Sequence, residues 1–226
     1  MGVSMLSKPV IFCDFDGTVT NNDNIIAIMK KFNPPGWEPI KDDILSQRVS
    51  IKEGVAKMFS LLPSTKKDDI IRYVLEQAEI RDGFAEFVAY AKEQNIPLYI
   101  VSGGIDFFVL PLLEPFGPFA GIYCNEADFS GETIQINFPH GCDGDCTSQG
   151  CGCCKPSIIR KLLEGGSKSI VIGDSITDLE AAKRADLVIA RDFLIEKCGE
   201  LGLPYEPFEN FRDVTSIIDA RLGVKL

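Results

Sequence analysis

Five short apolar runs, "PVIFCDF", "PLYIVSG", "GIYCNE", "KSIVIGD" and "DLVIAR", restrict most strongly what this chain can fold into. Each is brief and nearly continuous, as a strand buried on both faces of a parallel sheet must be. Between them lie helical patterns such as "DGFAEFVAYAKEQN", where Phe84, Phe87, Val88 and Ala91 share one face, and "TDLEAAKRA". Strands alternating with helices imply an α/β fold built on a doubly wound parallel sheet.

About eighty residues separate the first run from the second, too many for one crossover helix. Residues 22–80 read as helices broken at "NPPGW" and "LLPST": Ile25, Ile26, Met29 and Phe32 fall on one face, and Val55, Met58, Phe59 and Leu62 on another. The expectation is an inserted all-helical cap at 22–80 on a core formed by 1–21 and 81–226. A chain of 226 residues is long enough for one sizeable core plus such an accessory unit. A second insertion follows the third run, where "ADFSGETIQINF" alternates around Ser130-Gly131 as a hairpin should. A helix is then expected from Pro156, with Gly165-Gly166 as its stop.

The formal net charge of −10 argues against a nucleic-acid footprint, which needs clustered Lys and Arg. No apolar run reaches membrane-spanning length, the start "MGVSMLSKPVIFCDF" lacks a secretory pattern, and Leu6 stands where a myristoylation motif wants Ser or Thr. A cytoplasmic protein is expected. The sequence leaves the oligomeric state open.

The candidate chemistry sits where the strand patterns end, since ligands of doubly wound sheets gather outside the carboxyl ends of the strands. Asp14, Asp16 and Thr18 are spaced two apart at the first end. Two close carboxylates repel unless a cation or a shared proton intervenes, which points to a hard ion such as Mg²⁺; a solvated turn is the competing reading. At "IVSGG", Ser102 and Gly103 precede a helical stretch, a setting that suits a phosphate or a plain helix cap by Ser102 or Asp106. At "VIGDSITD", Asp174 closes a strand and Asp178 follows within the next helical turn; capping by Asp174 or Ser175 accounts for one acid but not both. Lys155 is a cation at the head of a helix, where the dipole disfavours it, so a nearby anion would explain its place.

In order, "DFDGT", Ser102, Lys155 and "GDSITD" resemble the four motifs of the haloacid dehalogenase superfamily of phosphohydrolases, and the early helical insertion resembles the cap of its phosphoserine phosphatase-like branch. Over nearly the whole chain, "DFDGTVTNNDNI", "NPPGW", "SIKEGV", "VSGGIDFF" and "CGCCKPS" look more closely like the family's methionine-salvage phosphatases. The resemblance implies a Mg²⁺-dependent phosphomonoesterase acting on a small phosphorylated metabolite. Asp14 would be the nucleophile, Asp16 the acid and base, and Ser102, Gly103 and Lys155 the phosphate grip. Asp14, the backbone carbonyl of Asp16 and Asp174 would hold the metal, with Thr18 steadying the loop after the nucleophile and Asp178 orienting Lys155 or metal-bound water. Trp37, Met58 and Phe59 would either face the substrate's tail or hold the cap helices together, and Asp23 and Arg48 would meet polar substrate groups or solvent. Phosphoserine phosphatase is the catalytic alternative.

Five of the eight cysteines crowd into positions 142–154. His140, Cys142, Cys146, Cys151, Cys153 and Cys154 offer more soft ligands than a structural Zn²⁺ needs, though adjacent Cys153 and Cys154 can rarely both reach one ion. Zinc, free thiols and a disulfide all stay open, and the loop leads directly into Lys155. A reading from another class makes this loop the working part of a non-catalytic zinc-binding or thiol module. Cys13, Cys124 and Cys198 read as ordinary buried thiols.

Overall fold

The computed structural model describes residues 9–163 and 166–222. Met1–Lys8, with the amino-terminal motif tests, and Gly165 of the expected helix stop lie outside them.

All five apolar runs become strands of a single sheet: β1 (Val10–Cys13), β2 (Leu98–Ile105), β3 (Gly121–Asp128), β5 (Ser169–Gly173) and β6 (Leu187–Ala190). β4 (Gln135–Asn137) and the two-residue β7 (Glu206–Pro207) complete the order β4-β3-β2-β1-β5-β6-β7. β1 lies at the centre, parallel to β2 and β5, with Cys13 opposite both Ile100 and Ile172. β4 alone among the described strands runs antiparallel, closing the expected hairpin with Ala127 opposite Ile136. The short β7 carries no apolar run, so its pairing with Ile189 and Ala190 had no signal in the pattern.

Helices cover both faces. On one, α5 (Phe84–Glu93) and α10 (Phe211–Leu222) pack together through Phe84, Phe87 and Phe211, whose rings lie 5.0 and 5.1 Å apart. On the other, α7 (Lys155–Leu162) and α8 (Leu179–Ala182) cover Phe12, Val101 and Val171 through residues such as Ile158, Ile159 and Ala181. The first described strand thus ends between two helical layers, in the position where doubly wound sheets place their ligands.

Between β1 and α5 the chain makes a helical excursion through α1 (Asn24–Phe32), α2 (Trp37–Leu45), α3 (Ile51–Ser60) and α4 (Lys67–Gln77), entered and left at the bridge between Thr20 and Ile80. Asp23 caps α1 by accepting from the Ile26 N–H at 2.9 Å, and Ser50 caps α3 by accepting from Glu53. "NPPGW" and "LLPST" do break the helices. Trp37, Met58 and Phe59 are buried with Ile28 and Met29. Phe59 meets Phe107 of α6 (Asp106–Leu113), outside the excursion, edge-on at 6.3 Å, and the Trp37 indole donates to Asn33 Oδ1 at the end of α1 at 3.1 Å. Asp23 and Arg48 are exposed, Arg48 paired with Asp43 at 2.7 Å.

Two local expectations need correction. α7 starts at Lys155 with Pro156 second, and ends at Leu162 before the glycines, its last turn closed by the Leu163 N–H on Ile159 O. β2 continues through Ser102 to Ile105, with a register shift between Val101 and Ile105, so Ser102 sits within an irregular strand and caps no helix. Asp106 Oδ1 accepts from the N–H groups of Phe107 and of Ala127 on β3.

Candidate active site

Asp14 follows directly on β1 and is buried, because the sheet delivers it between α7 and the turn after β5. Lys155, the first residue of α7, reaches across with its Nζ 2.6 Å from Asp14 Oδ1 and also pairs with Asp178 Oδ1. All three side chains are at most 5% exposed. A lone lysine buried this deeply would lose its charge, but the two carboxylates outweigh burial and hold Lys155 protonated well above its ordinary range. The anion anticipated at this helix head is therefore a pair of aspartates.

Asp178 has a second task. Its Oδ2 accepts from the N–H groups of Asp174 and Ser175, each at 3.2 Å, so it closes a capping box and orients Lys155 with the same carboxylate. Thr18 donates to Asp174 Oδ1 at 3.1 Å. Its hydroxyl thus ties the loop after Asp14 to the acid at the end of β5.

Oxygens of Asp14, Asp174 and Asp178 lie within 4.8 Å of one another. Burial and then the charge of Asp14 push Asp174 up to about 9; burial raises Asp14 to about 6 against the pull of Lys155. Carboxylates forced together this way fit a divalent hard cation, which removes their repulsion and takes oxygen ligands. The backbone makes room for them: Gly17 has φ +80°, and a Cβ there would lie 2.3 Å from Asp174 Oδ2.

Asp16 turns the other way. Its Oδ1 accepts from Asn24 Nδ2 at 2.6 Å and from the Asn24 N–H at 3.1 Å, while Oδ2 is buried without a partner. Burial, with the charges of Asp23 and Asp14, raises Asp16 well above the carboxylate range. A Cβ on Gly104 would come within 2.5 Å of that unpartnered oxygen, so only glycine lets the β2 backbone lie this close to it. Ser102 is fully buried and accepts from the Gly104 N–H at 2.8 Å, leaving its hydroxyl hydrogen for another acceptor.

The expected residues Asp14, Asp16, Thr18, Ser102, Gly103, Lys155, Asp174 and Asp178 thus gather around the carboxyl ends of β1, β2 and β5. Three further side chains escaped the sequence reading. Asn24 orients Asp16; its only signal was the polar run "NNDN" before an apolar helix. Asn125 donates to Gly103 O at 2.8 Å from β3. Arg81, just beyond the helical excursion, is buried and donates to the carbonyls of Thr18 at 2.7 Å, Gly17 at 2.8 Å and Thr20 at 3.2 Å. One guanidinium therefore clamps the loop after Asp14, a role no spacing in the sequence announces.

Residues 11–183 match the haloacid dehalogenase-like hydrolases, and the chain belongs to that family. It is 62% identical over 210 residues to a 2-hydroxy-3-keto-5-methylthiopentenyl-1-phosphate phosphatase of Geobacillus kaustophilus (strain HTA426), covering 93% of this chain and 95% of that one. A protein of the same description from Bacillus cereus is 56% identical over 216 residues, covering 96% and 98%. Among solved structures, a phospho-aspartyl intermediate analogue of phosphoserine phosphatase superposes with a TM-score of 0.72 at 20% identity, covering 93% of this chain and 99% of that one. At that identity the likeness is one of fold.

Proposed function

We propose that this chain is a Mg²⁺-dependent phosphomonoesterase that removes phosphate from 2-hydroxy-3-keto-5-methylthiopentenyl-1-phosphate, in the cytoplasm, as part of methionine salvage. The observation that carries the chemistry is the buried set in which Lys155 bridges Asp14 and Asp178 while Asp16 keeps one oxygen free. The choice of substrate rests on the likeness to relatives of that description along nearly their whole length.

Asp14 attacks phosphorus in line through a carboxylate oxygen, and the bond from phosphorus to the substrate oxygen breaks. Asp16, neutral at first, gives its proton to that departing oxygen. The aspartyl-phosphate is then opened by water: Asp16, now a carboxylate, takes a proton from the water as its oxygen bonds to phosphorus, and the bond to Asp14 breaks. Asn24 holds Asp16 through both transfers. Ser102 and the Gly103 backbone meet the oxygens that stay on phosphorus, with Lys155 adding its charge. Asp14, the carbonyl of Asp16 and Asp174 would hold Mg²⁺, which neutralises the charge between the phosphate and the carboxylate that attacks it. The helices of 22–80 act as the cap that closes over the leaving group, on a core of 1–21 and 81–226. The cysteine loop has a structural part in this reading.

Purified protein should show a higher kcat/KM for the methylthio-ketopentenyl phosphate than for phosphoserine, and EDTA should abolish turnover. A preference of about tenfold or more for phosphoserine would overturn the substrate while leaving the chemistry standing. No phosphate release from any monoester, with or without Mg²⁺, would favour a non-catalytic thiol or zinc module.

A further inference from the structure

We infer that Cys142, Cys146, Cys151 and Cys154 bind one structural zinc ion, which locks the loop before α7 into a bracket running from the helical excursion to Lys155. The ion itself does not depend on the proposed substrate or reaction.

The fold selects four ligands from six candidates. The sulfurs of these four cysteines lie within 4.8 Å of one another, with those of Cys146 and Cys151 3.8 Å apart. A tetrahedral tetrathiolate with zinc–sulfur bonds of about 2.3 Å has edges of about 3.8 Å, so little movement would seat the ion. All four are free thiols. The other two candidates turn away: Cys153 directs its sulfur to Tyr123 O at 3.8 Å, and the His140 ring stands edge-on to Tyr123 at 5.0 Å between centroids. Cys153 and Cys154 are therefore not rivals, because the chain turns between them and sends one sulfur toward the sheet and the other into the cluster.

The surroundings supply what a tetrathiolate needs. Ser157 Oγ donates to Cys154 Sγ at 3.0 Å, a contact that orients a ligating thiolate. Arg160 is paired with Asp143, donates to the same Ser157 Oγ at 3.4 Å, and has a buried Nη1 without a hydrogen-bond partner. Four thiolates around a divalent ion carry net negative charge, which a guanidinium beside them offsets. Soft sulfur ligands in a tetrahedral set select zinc or iron over Mg²⁺.

The placement also gives the ion a use. Cys154 immediately precedes Lys155, and its N–H donates to His140 O at 2.9 Å. Between Cys146 and Cys151 the loop reaches the start of α3: Gly150 O accepts from the Lys52 N–H at 3.1 Å, and a Cβ on Gly150 would lie 2.6 Å from Ser50 Cβ. One ion would thus fix both the backbone that aims Lys155 and the point where the excursion rests on the loop.

The test uses the whole chain, purified under reducing conditions without a metal-binding tag. Elemental analysis should find about one zinc per chain. Exchange for Co²⁺ should produce the thiolate-to-cobalt charge-transfer band and the intense ligand-field bands of a tetrahedral tetrathiolate. Cys151→Ser should lose at least about five-sixths of the bound zinc, whereas Cys153→Ser, one residue from a ligand, should keep it. If Cys151→Ser does not fold, the cobalt spectrum of the wild-type chain still decides. Reduced wild-type chain without stoichiometric zinc and without the cobalt bands would overturn the site, as would a Cys146–Cys151 disulfide in the active protein. Stoichiometric iron would overturn zinc as its occupant.

Discussion

The side chains at the centre divide into groups that react and groups that hold them, and substitutions should separate the two. Asp14→Asn keeps the shape but removes the attacking carboxylate; no phosphoenzyme should be trapped from labelled substrate, and kcat should fall by at least about a thousandfold. Trapping at the wild-type rate would remove Asp14 from that role. Asp16→Asn should still bind substrate while kcat falls about 10²–10⁴-fold, because both proton transfers lose their carrier. Arg81 belongs to the holding group. Arg81→Met would strip the donor from the buried carbonyls of Thr18 and Thr20 and the half-buried one of Gly17, at a cost of at least about 2 kcal/mol, readable by urea unfolding. The reacting residues were legible because their chemistry demands particular types at strand ends. Arg81 and Asn125 were not, since a donor to a backbone carbonyl can come from anywhere the fold brings one.

Among the elements, α5 and α10 depend on a polar contact set beside their phenylalanine seam. The Tyr90 hydroxyl donates to Asp219 at 2.5 Å, and burial, reinforced by that carboxylate, raises the phenol above its ordinary value. A raised folded pKa means that the contribution is fully present below the unfolded value of about 10 and is lost as pH rises through the higher folded value. Thermal unfolding of the wild type should therefore show an alkaline decline beginning near pH 10 that Tyr90→Phe reduces. An identical decline in the variant would place its origin elsewhere. Near neutral pH the same substitution should cost about 1.5–3 kcal/mol, the range for a hydrogen bond to a charged group. α5 itself was legible from its apolar face, whereas no pattern singled out α10. The start of α7 and the irregular end of β2 were not legible, because each is settled by a tertiary contact: Lys155 with two aspartates, and β2 with β3, where the register shifts between Val101 and Ile105.

At the scale of the whole molecule, the helical excursion is joined to the rest through several seams. Ile134 of the hairpin donates to Leu62 O at 3.0 Å, Ser64 donates to Glu132 O at 2.9 Å, Lys52 meets Gly150, and Phe59 packs on Phe107. Phe59→Ala would empty a fully buried site at this seam and should destabilise the protein by about 3–5 kcal/mol, measured by denaturant unfolding. If 22–80 is the cap that sets specificity, the same variant should lose more kcat/KM on the methylthio-ketopentenyl phosphate than on a simple aryl phosphate. Equal losses on both would argue that the excursion only supports the core.

The amino-acid order by itself determined the doubly wound plan, the existence of the helical insertion and the hairpin, and the set of acids, serine and lysine at the strand ends. Each depends on local periodicity or on residue types that few other roles require, and such signals survive without a third dimension. Only the tertiary structure decided which groups share a pocket: that Lys155 lies between Asp14 and Asp178, that Thr18 serves Asp174, and that four of the five loop cysteines converge while Cys153 turns away. It also decided that Trp37, Met58 and Phe59 pack inward. Distances between residues far apart in the chain are set by how its layers stack, and side-chain direction at a loop is set by what packs against it. Neither is written in spacing along the sequence.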